Sequence, residues 1–128
     1  QEAFNHLSVH DSIIPSMTGM WAMVNGPGSK NHLHIHAFNY LSGVFYLKVP
    51  PQSGKIIFHD PRPQVEILSP PKKEDESIHI SGRVSWEPKE NDLIFFPSWL
   101  RHEVETNESK EERIVISFNL ETKRSENA

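Results

Sequence analysis

Apolar residues in this chain come in short runs with a two-residue period, each closed after a few residues by proline, glycine or asparagine. Side chains at i and i+2 of a strand share a face, whereas an amphipathic helix needs apolar positions at i, i+3 and i+4 over several turns. The pattern therefore predicts strands and little helix. Residues 20–24 form one run, ended by the turn-forming Asn25-Gly26-Pro27-Gly28. Residues 33–38 and 41–49 give two more, stopped by Pro50-Pro51, and 55–59 gives a short one that ends at Asp60-Pro61-Arg62-Pro63. Ile78-His79-Ile80 and residues 83–86 pair across Ser81-Gly82, while 92–96 and 114–120 supply the last two strands. The proline- and charge-rich stretch 69–77 reads as a loop. Residues 1–19 read as an N-terminal extension, and the polar residues 121–128 as a frayed tail. Eight or so short strands with regular turn signals predict an all-β domain, closed or sandwiched and antiparallel.

At 128 residues the chain has length for a single domain with a real core. A net charge of −4 with no basic stripe argues against nucleic acid as a partner. The absence of cysteine excludes disulfides and zinc–thiolate sites. No apolar stretch approaches the length of a membrane span and no signal-peptide pattern opens the chain, so a cytoplasmic protein without membrane contact is the expectation. Gln1 in place of Met marks either a trimmed chain or one domain of a longer protein.

Chemistry concentrates in three places. In Asn31-His32-Leu33-His34-Ile35-His36, His34 and His36 stand two apart and can aim two imidazoles at one point from a strand. Far downstream, Phe95-Phe96-Pro97-Ser98-Trp99-Leu100-Arg101-His102 offers a third imidazole from a neighbouring strand. Eleven residues later Arg113 opens the last strand, on which Arg113, Val115, Ser117 and Asn119 share one face and Ile114, Ile116, Phe118 and Leu120 the other. If the apolar face packs on a second sheet, the polar face points into a barrel interior, where Arg and Ser need partners; a solvated edge strand is the bland alternative. Three histidines on one face suit a non-haem metal centre, and an arginine nearby suits a carboxylate. Asp60 and Arg62 flank a proline and read first as a turn-fixing pair. The three tryptophans read as packing residues, with Trp99 near enough to His102 to wall the site. His6, His10, His59 and His79 read as ordinary surface or half-buried positions.

Leu41-Ser42-Gly43-Val44-Phe45-Tyr46, Phe58-His59-Asp60-Pro61-Arg62, Asp92-Leu93-Ile94-Phe95-Phe96-Pro97-Ser98, His102-Glu103-Val104 and Arg113-Ile114-Val115-Ile116-Ser117-Phe118-Asn119 occur in an order that resembles the 2-oxoglutarate/Fe(II)-dependent oxygenases. The resemblance, from about Met20 to Leu120, is to a compact subgroup found in marine bacteria and phages and related to prolyl hydroxylases. It implies a double-stranded β-helix of jelly-roll, cupin-like form, with Fe(II), 2-oxoglutarate as co-substrate and O2. The implied reaction hydroxylates a C–H bond of an unknown substrate, peptidyl proline among the candidates, and yields succinate and CO2. His34, His36 and His102 would be the metal ligands and catalytic centre; Tyr46, Arg113 and Ser117 would bind the co-substrate. The primary substrate, a peptide or small molecule, and the oligomeric state stay open, a homodimer included. The family's usual motif carries a carboxylate where His36 stands, so the third ligand is His36 or, as alternatives, Asp60 or His32. Two other readings remain: a cupin-like metalloenzyme that does not use 2-oxoglutarate, and a metal-free β-sandwich binding module.

Overall fold

A computed structural model describes residues 1–71 and 82–126. Two four-stranded antiparallel sheets face each other. The first has the order β1 (Ile13–Asn25), β8 (Arg113–Arg124), β3 (Leu41–Lys48), β6 (Leu93–Pro97); the second has β2 (Asn31–His34), β7 (His102–Val104), β4 (Ile56–His59), β5 (Arg83–Trp86). The chain passes repeatedly from one sheet to the other, which closes a double-stranded β-helix around a shared interior. Among the described residues helix is confined to two single turns, α1 (Glu2–His6) and α2 (Pro63–Ile67). No helix among the described residues is long and apolar enough to cross a membrane.

The strands differ from the sequence expectation where pairing overrides local composition. β1 begins at Ile13, and its first residues, 13–16, pair with 121–124 of β8. The polar tail is thus strand as far as Arg124, because backbone pairing needs no apolar side chain, and residues 13–19 are no loose extension. Pro15, which has no N–H to give, is tolerated because β1 is an edge strand. β7, three residues long, and α2, five, carry too few residues for any periodicity to register. The expected strand at 78–80 and most of the expected loop at 69–77 lie outside the described residues.

The last strand is oriented opposite to the hydrophobic rule. Arg113, Val115 and Ser117 are buried between the sheets, while Ile114, Ile116, Phe118 and Leu120 lie half-exposed on the outer face. Met20 and Val24 of β1, with Leu93 and Phe95 of β6, extend that outer apolar surface. There Phe118 lies over Gly43, where an added Cβ would sit 2.2 Å from its ring, and meets Phe95 edge-on at 5.6 Å. The interior core is small: Tyr46, Ile56, Phe96 and Val115; Leu41, also buried, pairs with Leu120 on the outer face, and Phe4 of α1 docks edge-on to Tyr40 near one end. Buried polar residues (Ser42, Ser98, His102, Arg113 and Ser117 among them) fill the rest. Such a polar interior persists only where each group finds a partner or a ligand.

Candidate metal and oxo-acid site

His34 and His102 are direct cross-strand neighbours in the β2–β7 ladder, so their rings meet on the inner face with centroids 4.3 Å apart. His36 lies beyond the end of β2. Its backbone N–H donates to Ser98 O at 2.9 Å, which pins it beside the 97–101 turn, and its ring stacks on that of His102 at 5.1 Å. Ser98 is itself fixed: its hydroxyl bonds Ser42 Oγ at 2.8 Å, and Ser42 donates on to Asn119 Oδ1 at 2.8 Å. One ligating atom from each of the three histidines lies within 4.8 Å of the others.

The tautomers follow from the carbonyls. His34 Nδ1 lies 2.6 Å from His32 O and His102 Nδ1 lies 2.9 Å from Leu100 O. A carbonyl only accepts, so both Nδ1 atoms carry the proton and both Nε2 lone pairs face inward, as metal-bound histidines require. His36 Nε2 is 3.3 Å from His102 Nε2, close to the separation of about 3 Å expected for neighbouring nitrogens at metal–nitrogen bonds of about 2.1 Å. Burial, with a smaller contribution from the neighbouring imidazoles, pushes His102 down to about 4 and His36 below its ordinary value. Neutral imidazoles at neutral pH are the form a metal takes up. The donor set fits a divalent transition metal.

These residues line one wall of a cavity of about 460 Å3 between the sheets. Tyr46, Val44 and Ser42 of β3 and Arg113, Val115 and Ser117 of β8 line it as well, with Trp21 and Met23 of β1. Arg113 is 2% exposed, and it has no carboxylate partner among the described residues. Its Nη1 donates to Ser53 O at 2.5 Å, and no other hydrogen bond to the guanidinium forms among the described residues. Burial lowers its affinity for the proton, and the neighbouring Tyr46 opposes that shift. Tyr46, 3% exposed, is pushed up to about 12 by burial, against the pull of Arg113, and so stays a neutral O–H donor. Ser117 Oγ has only a weak contact, 3.7 Å to Met23 Sδ. A buried cation with open N–H groups, a phenol and a hydroxyl on one cavity wall is a site for an anion. A wider groove of about 930 Å3, with Lys30, Lys55, Glu87 and Glu105 on its walls, reaches none of the three clustered histidines.

Asp60 lies outside the histidine cluster. Its carboxylate takes Arg62 Nε and Nη2 at 3.0 and 2.8 Å in the expected turn, and this guanidinium holds it down at about 2. His32 lines the cavity but is not one of the three clustered histidines. His59 is buried, with Nε2 3.5 Å from Glu103 Oε2 and no hydrogen bond. The tryptophans, expected as packing residues, are 37–58% exposed. Trp21 instead walls the cavity and stacks on His36 at 6.1 Å, whereas Trp99 does not line it. Sequence reasoning missed this wall and the Ser53 carbonyl.

A family model described as "Putative 2OG-Fe(II) oxygenase" matches residues 19–119. Among solved structures, a 2OG-Fe(II) oxygenase family oxidoreductase from Burkholderia pseudomallei superposes with a TM-score of 0.70 at 14% identity, covering 94% of this chain and 50% of that one. A prolyl-4-hydroxylase from Pseudomonas putida gives 0.56 at 20%, covering 80% and 50%. The epimerase SnoN, in complex with Fe3+, alpha ketoglutarate and nogalamycin RO, gives 0.60 at 17%, covering 84% and 50%. The chain thus spans about half the length of these structures. No curated protein matches the sequence.

Proposed function

The chain belongs to the 2OG-Fe(II) oxygenase family, and from that membership we propose that it is a 2-oxoglutarate- and Fe(II)-dependent dioxygenase that hydroxylates a C–H bond, with succinate and CO2 as co-products. His34, His36 and His102 are the proposed metal ligands, and Arg113, Tyr46 and Ser117 the proposed co-substrate contacts. The observation that carries the reading is the buried, carboxylate-free Arg113 in the same cavity as the three imidazoles. A cupin-like metalloenzyme without 2-oxoglutarate gives that guanidinium nothing to do, and a metal-free sandwich explains neither group.

Bound Fe(II) would supply oxygen activation coupled to oxidative decarboxylation of the oxo acid. The residues of this chain do the rest. The His32 and Leu100 carbonyls hold the two imidazole tautomers, and Ser98 O fixes His36. Arg113 would take the distal carboxylate through its free N–H groups, with the Tyr46 and Ser117 hydroxyls donating beside it. A third histidine in place of a carboxylate leaves the metal its full positive charge, which favours a dianionic chelator. Trp21 and Phe96 beside His36 keep one side of the centre apolar.

The test is succinate formation from 2-oxoglutarate by the Fe(II)-loaded protein, screened against prolyl peptides and free amino acids. Substrate-stimulated succinate is the expected result. Metal binding without any 2-oxoglutarate binding would move the cupin-like reading to first place.

A further inference from the structure

Arg113 is held in place by backbone, not by a side chain. Residues 50–53 form a tight turn in which Ser53 N–H donates to Pro50 O at 3.2 Å, Pro51 takes the second position, and Gln52 takes the third with φ +62°. Gly54 follows at φ +103°. The segment is stitched to the 105–108 stretch. Glu108 N–H donates to Gln52 O at 2.9 Å, Glu105 N–H to Lys55 O at 3.0 Å, and Lys55 N–H to Glu105 Oε2 at 3.0 Å. That seam brings the buried Ser53 carbonyl onto Arg113 Nη1 at 2.5 Å. The approach needs glycine next door for two separate reasons. Its φ is one that side chains rarely adopt, and a Cβ there would lie 2.4 Å from Glu105 O and 3.0 Å from Arg113 Nη1.

An arginine side chain has many rotamers, and its planar fork discriminates only when its direction is fixed. One N–H anchored on a carbonyl fixes the plane and leaves the other donors for a ligand. We propose that the Ser53-Gly54 segment is a positioning device that aims the Arg113 guanidinium, and so makes the site select an oxo diacid over an oxo acid lacking the second carboxylate. The inference rests on the reading of Arg113 as the carboxylate anchor. It adds that the selectivity is set by a backbone carbonyl 60 residues upstream of Arg113 and by the glycine that follows it.

The test compares 2-oxoglutarate with 2-oxopentanoate, which has the same oxo-acid head and chain length but no distal carboxylate. Both are titrated into the Mn(II)-loaded protein without oxygen, for the wild type, Gly54→Ala, Pro51→Gly, Arg113→Ala and the Gly54→Ala/Arg113→Ala pair. Gly54→Ala displaces the segment by crowding, whereas Pro51→Gly at an exposed position only loosens the turn. The expected result is roughly tenfold weaker 2-oxoglutarate binding in Gly54→Ala and a severalfold loss in Pro51→Gly. Affinity for 2-oxopentanoate is unchanged in both, and the double variant is no weaker than Arg113→Ala. If Gly54→Ala does not fold, Pro51→Gly carries the test alone. Wild-type 2-oxoglutarate affinity in the folded variants overturns the inference, and so does an equal loss for both oxo acids, which marks general damage. If Arg113→Ala itself binds 2-oxoglutarate like the wild type, the anchor reading has failed and takes this inference with it; if only the turn variants are silent, the anchor stands.

Discussion

Replacing Arg113 by alanine isolates the anion half of the site from the metal half. The guanidinium is 2% exposed and spends one N–H on Ser53 O, so up to four remain for a carboxylate. A charge-assisted hydrogen bond in a shielded site contributes about 1.5–3 kcal/mol, and a side-on pair adds geometry as well as energy. At about 1.4 kcal/mol per decade, the loss is roughly ten- to hundredfold in 2-oxoglutarate affinity. Arg113→Lys should recover only part of it, since an ammonium cannot reproduce the fork. Arg113→Met, nearer in volume, separates lost charge from a new void. The measurement is calorimetric titration of 2-oxoglutarate into Mn(II)-loaded protein under nitrogen, with metal affinity determined in parallel. Metal binding should be unchanged, because Arg113 is not one of the three clustered nitrogen donors. Indistinguishable 2-oxoglutarate isotherms for wild type and Arg113→Ala would refute the reasoning and leave the buried cation unexplained.

Other consequences are open to direct measurement. His36→Asp, which restores the family's usual carboxylate, should keep one equivalent of Fe(II) per chain, as equilibrium dialysis can show; loss of metal in a folded protein would mean the site depends on the third imidazole. The metal-free protein should lose stability as pH falls from 6.5 towards 4: an unfolded His102 takes a proton near 6.5, while the folded one resists until about 4. Urea melts at pH 7.5 and 5 check the sign, and equal midpoints would contradict it. Trp21 stacks on His36, so Fe(II) should quench part of the tryptophan fluorescence, and Trp21→Phe should remove most of that quench. Gly43→Ala places a methyl 2.2 Å from the Phe118 ring and should cost about 1–3 kcal/mol in unfolding free energy; an unshifted melt would mean that the ring moves freely on the outer face.

Much of this was legible in the sequence because it is local or periodic. The two-residue alternation marks β3, β6 and β8, and His34, His36, His102, Tyr46, Arg113 and Ser117 do line one cavity. Alternation, however, gives two faces without saying which is inward. For β8 the need of Arg113 and Ser117 for partners, not the rule that apolar residues go inside, marked the inward face: those two line the cavity, and Ile114, Ile116, Phe118 and Leu120 lie on the outer face. Non-local pairing accounts for other differences: the polar residues 121–124 are strand only because 13–16 lie opposite them. His36 reaches the cluster from beyond its strand, through Ser98, a contact 62 residues away in the chain that no spacing rule encodes. The Ser53 carbonyl left no trace at all, since every residue has one.

A crystal structure of the chain grown without oxygen in the presence of Mn(II) and 2-oxoglutarate tests the central claim most directly. The account predicts one manganese anomalous peak bonded to the imidazole nitrogens of His34, His36 and His102, with the oxo acid on the metal and its distal carboxylate against Arg113. A manganese peak elsewhere, or an oxo acid whose distal carboxylate leaves Arg113 untouched, would contradict it.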